Sequence, residues 1–441
     1  MERSKISELR DQLRSLRKQE LEIEAQILAL EAEEPNADKK TSDKLSNEEI
    51  RRYSRQLLIP EVGTEGQLKL RNSSVLVVGT GGLGSPCALY LAAMGIGCLG
   101  LVDHDVVDQS NLHRQVLHTE ASCGSSKVLS AITSLSRLSS LCDTKVYDVL
   151  LDSTNARDII SGYDIVVDAT DNAATRYLIN DACVLSGIPL VSGSAVRLDG
   201  QLTVYNHNGG PCYRCLFPTP PAPDAMANCS ETGVLGVVPG VIGCLQAMEV
   251  VKLVTGRREN EDPSLLLFSY RSQPHFRTIK LRARKPTCAV CGDEPTVTKL
   301  IDYVAFCGAG PNDDAPQWKL LEDPAHRISC ERYRDIQKQF ENGGGGKHLL
   351  LDVRDEVQFN ICQLPHAVNI PIDQFDSRRK ELEEAVLSLN GAPVYAVCRR
   401  GNLSQMAVQY IRDQLQYEQC FDIAGGLVAW QREVDAEFPA Y

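Results

Sequence analysis

Apolar residues near the start of the chain recur at alternating three- and four-residue steps. Ile6, Leu9, Leu13, Leu16, Ile23, Ile27 and Leu30 form the series, broken once by Glu20. This period predicts an amphipathic helix, either packed on its own domain or paired as a short coiled coil. A charged stretch, EEPNADKKTSDKLSNEE, follows and brings Ser46 and Glu49 into the spacing of a capping box for the next helix. From Ser73 the pattern changes. SSVLVVG, CLGLVD, YDIVVDAT and IPLVSG are short β-branched runs, separated by helical stretches such as SPCALYLAAMG and TRYLINDACVLSG. The alternation predicts an α/β fold with a mostly parallel sheet and helices on both faces, continuing to about Thr255. A strand pair follows in LLLFSY and FRTIKL. Periodicity then weakens, and GAGPNDDAP reads as a linker. A second α/β unit begins near Ile328 with HLLLDVRD, AVNIP, PVYAVC and FDIAGGLVAW. The expected layout is a helix over 1–40, a large α/β domain over 41–295, a linker over 296–327 and a second α/β domain over 328–441.

Bulk composition narrows the class. Hydrophobic residues make up 43% of 441, enough for sizeable cores. The sequence carries no continuous apolar run of membrane-spanning length, so no membrane role is expected. MERSKISELRDQLRSLRKQE lacks the apolar stretch of a signal peptide, which predicts a cytosolic protein. A net charge of −12 argues against direct nucleic-acid binding. Sixteen cysteines in such a setting point to metal binding or thiol chemistry before disulfides.

VLVVGTGGLGS fits G-x-G-x-x-G at Gly79, Gly81 and Gly84, after a strand and at the start of a helix. That context is Rossmann-like: the glycines allow a tight turn and let backbone N–H groups approach a phosphate. Asp103 closes the next strand, where a carboxylate can accept ribose hydroxyls. The motif alone suits NAD or FAD, or a helix merely packed on a sheet. Asn111 and Arg114 in SNLHRQ, with Lys127 at the next helix start, favour a polyphosphate. DATDN places Asp168 and Asp171 at another strand end, where a carboxylate can hold Mg²⁺ against phosphate oxygens.

Two CxxC pairs, Cys212 with Cys215 and Cys288 with Cys291, have the ligand set of a tetrahedral structural zinc, with a redox disulfide as the alternative. Cys229, in MANCSETG, belongs to neither pair and falls in a small, polar stretch.

RYSRQ, GTGGLGS, DHDVVDQSNLHRQ, SKV, ATDN, CYRC, NCSETGVLG and CAVCG occur in order over roughly residues 45–293. Together they resemble the adenylating enzymes of the ubiquitin-activating type, in their ThiF/MoeB-like, molybdopterin-synthase activating branch. The resemblance implies a domain that adenylates the C-terminal glycine of a ubiquitin-like protein with ATP and Mg²⁺. It implies that Gly82, Asp103, Ser110, Asn111, Leu112, His113, Arg114, Lys127, Asp171 and Asn172 contact ATP or its metal, with Asp171 on magnesium. It implies a homodimer in which Arg55 reaches the partner's site, and a role for Cys229 in engaging the activated glycine.

LLLDVRDEVQF, LPHAVNIP, VYAVCRRGNLS and AGGLVAW resemble a rhodanese domain. That resemblance makes Cys398 the carrier of a persulfide. A cysteine between a strand end and a helix start, with Arg399 and Arg400 beside it, suits a thiolate. Gly401 and Asn402 allow a tight loop, and Asp352 is placed to orient the loop or bond Arg354. Leu403 stands where related fusion enzymes carry Asp, and Gln363 where many rhodaneses carry His. The combined layout resembles bifunctional enzymes that activate ubiquitin-like sulfur carriers. It implies that the carriers are the molybdopterin synthase small subunit and the ubiquitin-related modifier of tRNA thiolation, with a cysteine desulfurase as sulfur donor. Cys307 and Cys330 receive no role from the sequence.

Overall fold

A computed structural model describes residues 43–439 and 441, except 221–231, 260, 309–318 and 322, together with scattered positions between 5 and 27. Those scattered positions are helical, and Ile6, Leu9, Leu13, Leu16, Ile23 and Ile27 among them are exposed. The chain forms two compact units, Met1–Asp313 and Asp314–Tyr441.

The first unit is built on an eight-stranded sheet in the order β3-β2-β1-β4-β5-β6-β7-β8. The strands are β1 Ser74–Val78, β2 Cys98–Val102, β3 Asp143–Tyr147, β4 Ile165–Asp168, β5 Leu190–Val196, β6 Asp199–Tyr205, β7 Ser264–Ser269 and β8 Phe276–Lys280. The first five run parallel, and β6, β7 and β8 extend the sheet antiparallel. Strand β1 shows why. Val75 and Val77 enter one core with helices Gly84–Met94, Lys127–Leu138 and Val237–Val254, while Leu76 and Val78 enter the other with helix Ala173–Ser186. A strand buried on both faces needs an unbroken apolar run, which VLVV supplies. Each such side chain contributes roughly 1.5–3 kcal/mol of burial. Helix Val237–Val254 is long and apolar enough to cross a membrane, yet Ile242, Ala247 and Val250 are buried in this core.

Ser46 caps helix Asn47–Leu57 as expected: its hydroxyl accepts the Glu49 N–H at 3.2 Å, and the Glu49 carboxylate accepts the Ser46 N–H at 2.6 Å. Within the stretch expected to be linker, helix Tyr303–Cys307 docks on the first unit. Tyr303 and Cys307 are buried in the same core as Tyr177 and Tyr213. Cys307 therefore has a packing role.

The second unit is a five-stranded parallel sheet, β11-β10-β12-β13-β9. Its strands are β9 Arg327–Ile328, β10 Leu349–Asp352, β11 Ala367–Asn369, β12 Val394–Val397 and β13 Cys420–Ile423. It repeats the two-faced logic: Val394 and Ala396 of β12 enter one core, Tyr395 and Val397 the other.

Candidate active sites and a cysteine cluster

In the first unit the strand order reverses between β1 and β4, and the glycine turn leaves β1 at that point. Such switch points open a crevice at the strands' carboxyl ends. Gly79 has φ +95°, and a Cβ there would lie 2.8 Å from the Ala169 carbonyl oxygen. A Cβ on Gly84 would lie 1.8 Å from the Gly79 carbonyl oxygen. Both positions therefore exclude a side chain. At Gly82 the nearest atoms to an added Cβ include Arg114 Cγ at 3.3 Å, so the arginine stem lies across the turn.

Asp103 laces this turn to the end of β2. Its Oδ2 accepts the Thr80 N–H at 2.8 Å and the Thr80 hydroxyl at 2.9 Å, and its Oδ1 accepts the Asp105 N–H at 3.0 Å. A carboxylate has about four acceptor positions, so little capacity is left for a ribose. Lys127 is buried, with Nζ 2.7 Å from the exposed Asp105 carboxylate. Ser110 and Asn111 lie in a tight turn, Gln109–Asn111, capped by Asp108. Asp108 accepts the Ser110 N–H at 2.8 Å and hydroxyl at 2.5 Å, and these bonds hold its carboxyl below the usual range. The Leu112 N–H closes the turn on Gln109, His113 Nδ1 sits 2.9 Å from the Ser110 carbonyl, and Arg114 Nη1 sits 3.4 Å from His113 Nε2.

Two residues that the sequence reading passed over hold this segment in place. His118 is buried, with Nε2 3.1 Å from the Thr80 carbonyl and Nδ1 3.0 Å from the Ser130 hydroxyl. Burial lowers its pKa to about 4, so the ring is neutral at physiological pH. Gln115 is buried beside Gly81, and its amide oxygen has no hydrogen-bond partner, a group that a ligand donor would satisfy. Gln115 is the last residue of the quoted SNLHRQ, and His118 lies three positions further on.

Asp168, expected as a metal ligand, is instead a buried structural residue. It has no exposed surface and accepts hydrogen bonds from Arg176 Nε at 3.0 Å, Thr170 N at 3.0 Å, Thr170 Oγ1 at 2.6 Å and Ser192 Oγ at 2.7 Å. It is a structural hub with no room for a metal. Asp171 is the exposed carboxylate of ATDN. Asn172 caps helix Ala173–Ser186 through the Thr175 N–H at 2.8 Å. Arg55 is exposed on helix Asn47–Leu57. Cys229 lies outside the described residues.

Cys212, Cys215, Cys288 and Cys291 converge, with every sulfur within 4.8 Å of the others. Contacts of 3.9 Å (Cys212 to Cys215), 3.6 Å (Cys212 to Cys288) and 3.4 Å (Cys215 to Cys291) are close to the edge of a tetrahedron with about 2.3 Å metal–sulfur bonds. The Lys285 N–H also points at Cys215 Sγ, 3.4 Å away. Donor type, number and spacing fit a closed zinc site. Arg214, between the first two cysteines, is buried and forked on Asp181 at 2.7–3.1 Å, and Tyr303 donates to the same carboxylate at 2.8 Å. This pair ties the cysteine cluster to helix Ala173–Ser186.

In the second unit Cys398 follows β12 and is 2% exposed. The Gly401 N–H donates to its sulfur at 3.1 Å. Gly401 has φ +80°, and a Cβ there would meet the Gly425 nitrogen at 2.6 Å. The Cys398 carbonyl accepts the Leu427 N–H at 2.9 Å. Cys330 is buried beneath this turn, donating to the Ala424 and Gly426 carbonyls at 3.5 and 3.6 Å. Asp352 binds Arg354 through both carboxylate oxygens. Arg399 is aimed at Tyr441: it donates to the Tyr441 carbonyl and its guanidinium sits 5.0 Å from the ring centroid. Leu403 and Gln363 are both exposed.

A glycine-turn nucleotide site, a four-cysteine cluster and a looped thiol define a nucleotide-handling α/β domain joined to a thiol-bearing α/β domain. The ThiF family model matches residues 53–290 and the rhodanese-like domain model matches 336–433. Adenylyltransferase and sulfurtransferase MOCS3 of Aedes aegypti is 50% identical, covering 99% of each chain. The Mus musculus protein of the same name is 49% identical over 90% of this chain and 88% of its own. The chain belongs to the MOCS3 family of adenylyltransferases and sulfurtransferases, within the ThiF family. Among solved structures, E. coli MccB with ATP is similar over 58% of this chain and 76% of that one, at 23% identity and a TM-score of 0.49.

Proposed function

We propose that this enzyme adenylates the C-terminal glycine of a ubiquitin-like sulfur carrier and then converts it to a thiocarboxylate. The observation that carries the reading is the pairing, in one chain, of the glycine turn flanked by Arg114 and Lys127 with the looped thiol Cys398. In the first step the carrier carboxylate attacks the α-phosphorus of ATP, giving an acyl-adenylate and pyrophosphate. The nucleophile is already ionised, so no general base is required. The task is to offset repulsion between anions. Arg114 and Lys127 do so, with Arg55 supplied by the partner subunit of a homodimer, and Asp171 would hold the Mg²⁺ that accompanies ATP, which would supply further positive charge against the phosphates. Gly82, Ser110, Asn111, Leu112, His113 and Asn172 shape the nucleotide pocket. Asp103 acts mainly by fixing the turn, with one acceptor position left for the ribose. A zinc held by the four cysteines would be structural, because four thiolates leave no open position.

In the second step the persulfide on Cys398 attacks the acyl-adenylate, forming an acyl-disulfide and releasing AMP. Cys229 either attacks that disulfide, releasing the thiocarboxylate and forming a Cys229–Cys398 disulfide, or first takes the glycine as a thioester. A cysteine desulfurase supplies the sulfur. The carriers are the molybdopterin synthase small subunit and the ubiquitin-related modifier of tRNA thiolation, acted on in the cytosol. The test is mass spectrometry of the carrier after incubation with ATP and a protein-bound persulfide. Wild type adds one sulfur in place of oxygen, and Cys398→Ala leaves the carrier unchanged. Full thiocarboxylate from Cys398→Ala overturns the reading.

A further inference from the structure

Beneath Cys398 runs a buried chain of hydrogen bonds that sulfur carriage alone does not require. Cys398 Sγ lies 3.3 Å from Ser404 Oγ, and the Ser404 hydroxyl donates to Asp422 Oδ1 at 2.5 Å. The second oxygen of Asp422 accepts Arg327 Nε at 2.8 Å. Ser404 and Asp422 have no exposed surface, and Cys398 has 2%. The three come from separate elements: the end of β12, the first turn of helix Leu403–Leu415, and β13.

The single proton of Ser404 is committed to Asp422, so in the thiol state the S–H is the donor to Ser404. A thiolate at Cys398 would place two anions at either end of that one proton. The chain relieves this by reversing. We propose that Ser404 is a catalytic residue and Asp422 a positioning residue of sulfur transfer: the Cys398 proton passes to Ser404 Oγ as the Ser404 proton passes to Asp422. The product has a thiolate accepting from Ser404, and Ser404 accepting from a neutral Asp422 carboxyl. One S–H bond breaks and one carboxyl O–H bond forms, with no change in oxidation state. The thiolate then attacks the outer sulfur of a persulfide donor, making one S–S bond and breaking another, and the donor leaves as its thiolate. This role rests on the reading of Cys398 as the sulfur-bearing nucleophile.

Burial raises the Asp422 carboxyl above its ordinary value, which suits it to hold a proton. The charged and titratable groups facing it are Arg327 from β9, Cys420 of its own strand, Cys330 from helix Cys330–Glu341 and, across Ser404, Cys398. Arg399 and Arg400 flank the thiol from its own loop. Arg327 opposes protonation of Asp422, so the carboxyl takes the proton only as Cys398 gives one up.

The test follows the rate at which iodoacetamide alkylates Cys398 in the full chain, measured peptide by peptide across pH. Ser404→Ala is expected to slow alkylation at neutral pH by about a hundredfold, a typical contribution of a placed proton acceptor, with the gap closing at alkaline pH. Ser404→Thr should keep the wild-type profile. Asp422→Asn gives opposite signs for the two accounts. Loss of a relay moves the profile to higher pH, because the proton must then leave to solvent. Loss of a merely repelling carboxylate moves it to lower pH, and that result overturns the proposal. A slowing by the same factor at every pH, or none, overturns it as well. Difference infrared spectroscopy of wild type, in which loss of the Cys398 S–H band brings up a protonated carboxyl band, decides the case even if a variant fails to fold. Its absence counts against the relay. Sulfur uptake by Cys398→Ala would instead sink the underlying reading, independently of these profiles.

Discussion

The two candidate sites solve opposite electrostatic problems. Around the glycine turn a buried Lys127 leans on the exposed Asp105, half-buried Asp103 holds the turn through Thr80, and Arg114 lies beside the exposed His113. The thiol site is closed, its nucleophile enclosed by Gly401, Ser404 and the Leu427 turn. A polyphosphate brings several negative charges of its own, so a site for it keeps its cations loosely paired until the ligand arrives. A thiol brings none, so the protein has to supply the partner that takes its proton. The first arrangement is an open shelf at a sheet edge, and the second is a preformed cage.

The sharpest way to break this comparison is to disable one site and read the other. Asp171→Ala should abolish carrier-dependent ATP–pyrophosphate exchange, by about a thousandfold or more, through loss of a metal anchor. Persulfide loading of Cys398 should stay at the wild-type rate. Cys398→Ala should give the mirror image. Mixing Arg55→Ala with Asp171→Ala subunits should restore part of the exchange, because one mixed site is intact. Exchange by Asp171→Ala near the wild-type rate would remove the magnesium role, and no rescue after verified subunit exchange would remove the shared site.

Metal removal sharpens the same contrast. The cysteine cluster belongs to the first unit only, and a structural zinc contributes on the order of 10 kcal/mol to folding. A strong chelator, or Cys288→Ser, should lower the melting temperature of the first unit by at least about 10 °C. Cys398 in the second unit should still load sulfur. Calorimetry before and after chelation, with zinc counted by atomic absorption, checks this. A first unit that melts unchanged after losing its metal would make the cluster a thiol site.

The sequence made the frame of both sites legible for specific reasons. Gly79, Gly84 and Gly401 are demanded by backbone geometry that no other residue tolerates, so the motif carries the turn. The paired CxxC spacing carries the cluster. Polar edges were harder. Strand β3, DTKVY, is only half-buried and has no apolar alternation to betray it. Asp168 looked like a ligand because it ends a strand, yet burial and four donors make it structural. His118, Ser404 and Asp422 act through contacts between elements distant in sequence, and no local period announces such contacts. Ser404 is the last residue of the quoted VYAVCRRGNLS, but its partner lies 18 residues away.

The smallest expected effect concerns pH, where two buried groups shift in opposite directions. Burial depresses the pKa of His118 from 6.5 to about 4 in the first unit. Between those values the unfolded chain binds a proton that the folded chain refuses, so stability falls as pH drops from about 6.5 toward 4. Burial raises Asp422 in the second unit above 3.8, so between that value and its folded pKa the folded chain holds the extra proton. There, falling pH favours folding. Replacing His118 by Gln, which can still bond the Thr80 carbonyl, should flatten the acid dependence of the first unit by at most about 3 kcal/mol. Calorimetric melting of wild type and His118→Gln at several pH values within that window tests it. The same comparison with Asp422→Asn should steepen the second unit's acid loss. If His118→Gln and wild type lose stability in parallel as pH falls, the histidine is not held neutral, and its place as the brace between the glycine turn and helix Lys127–Leu138 needs another basis.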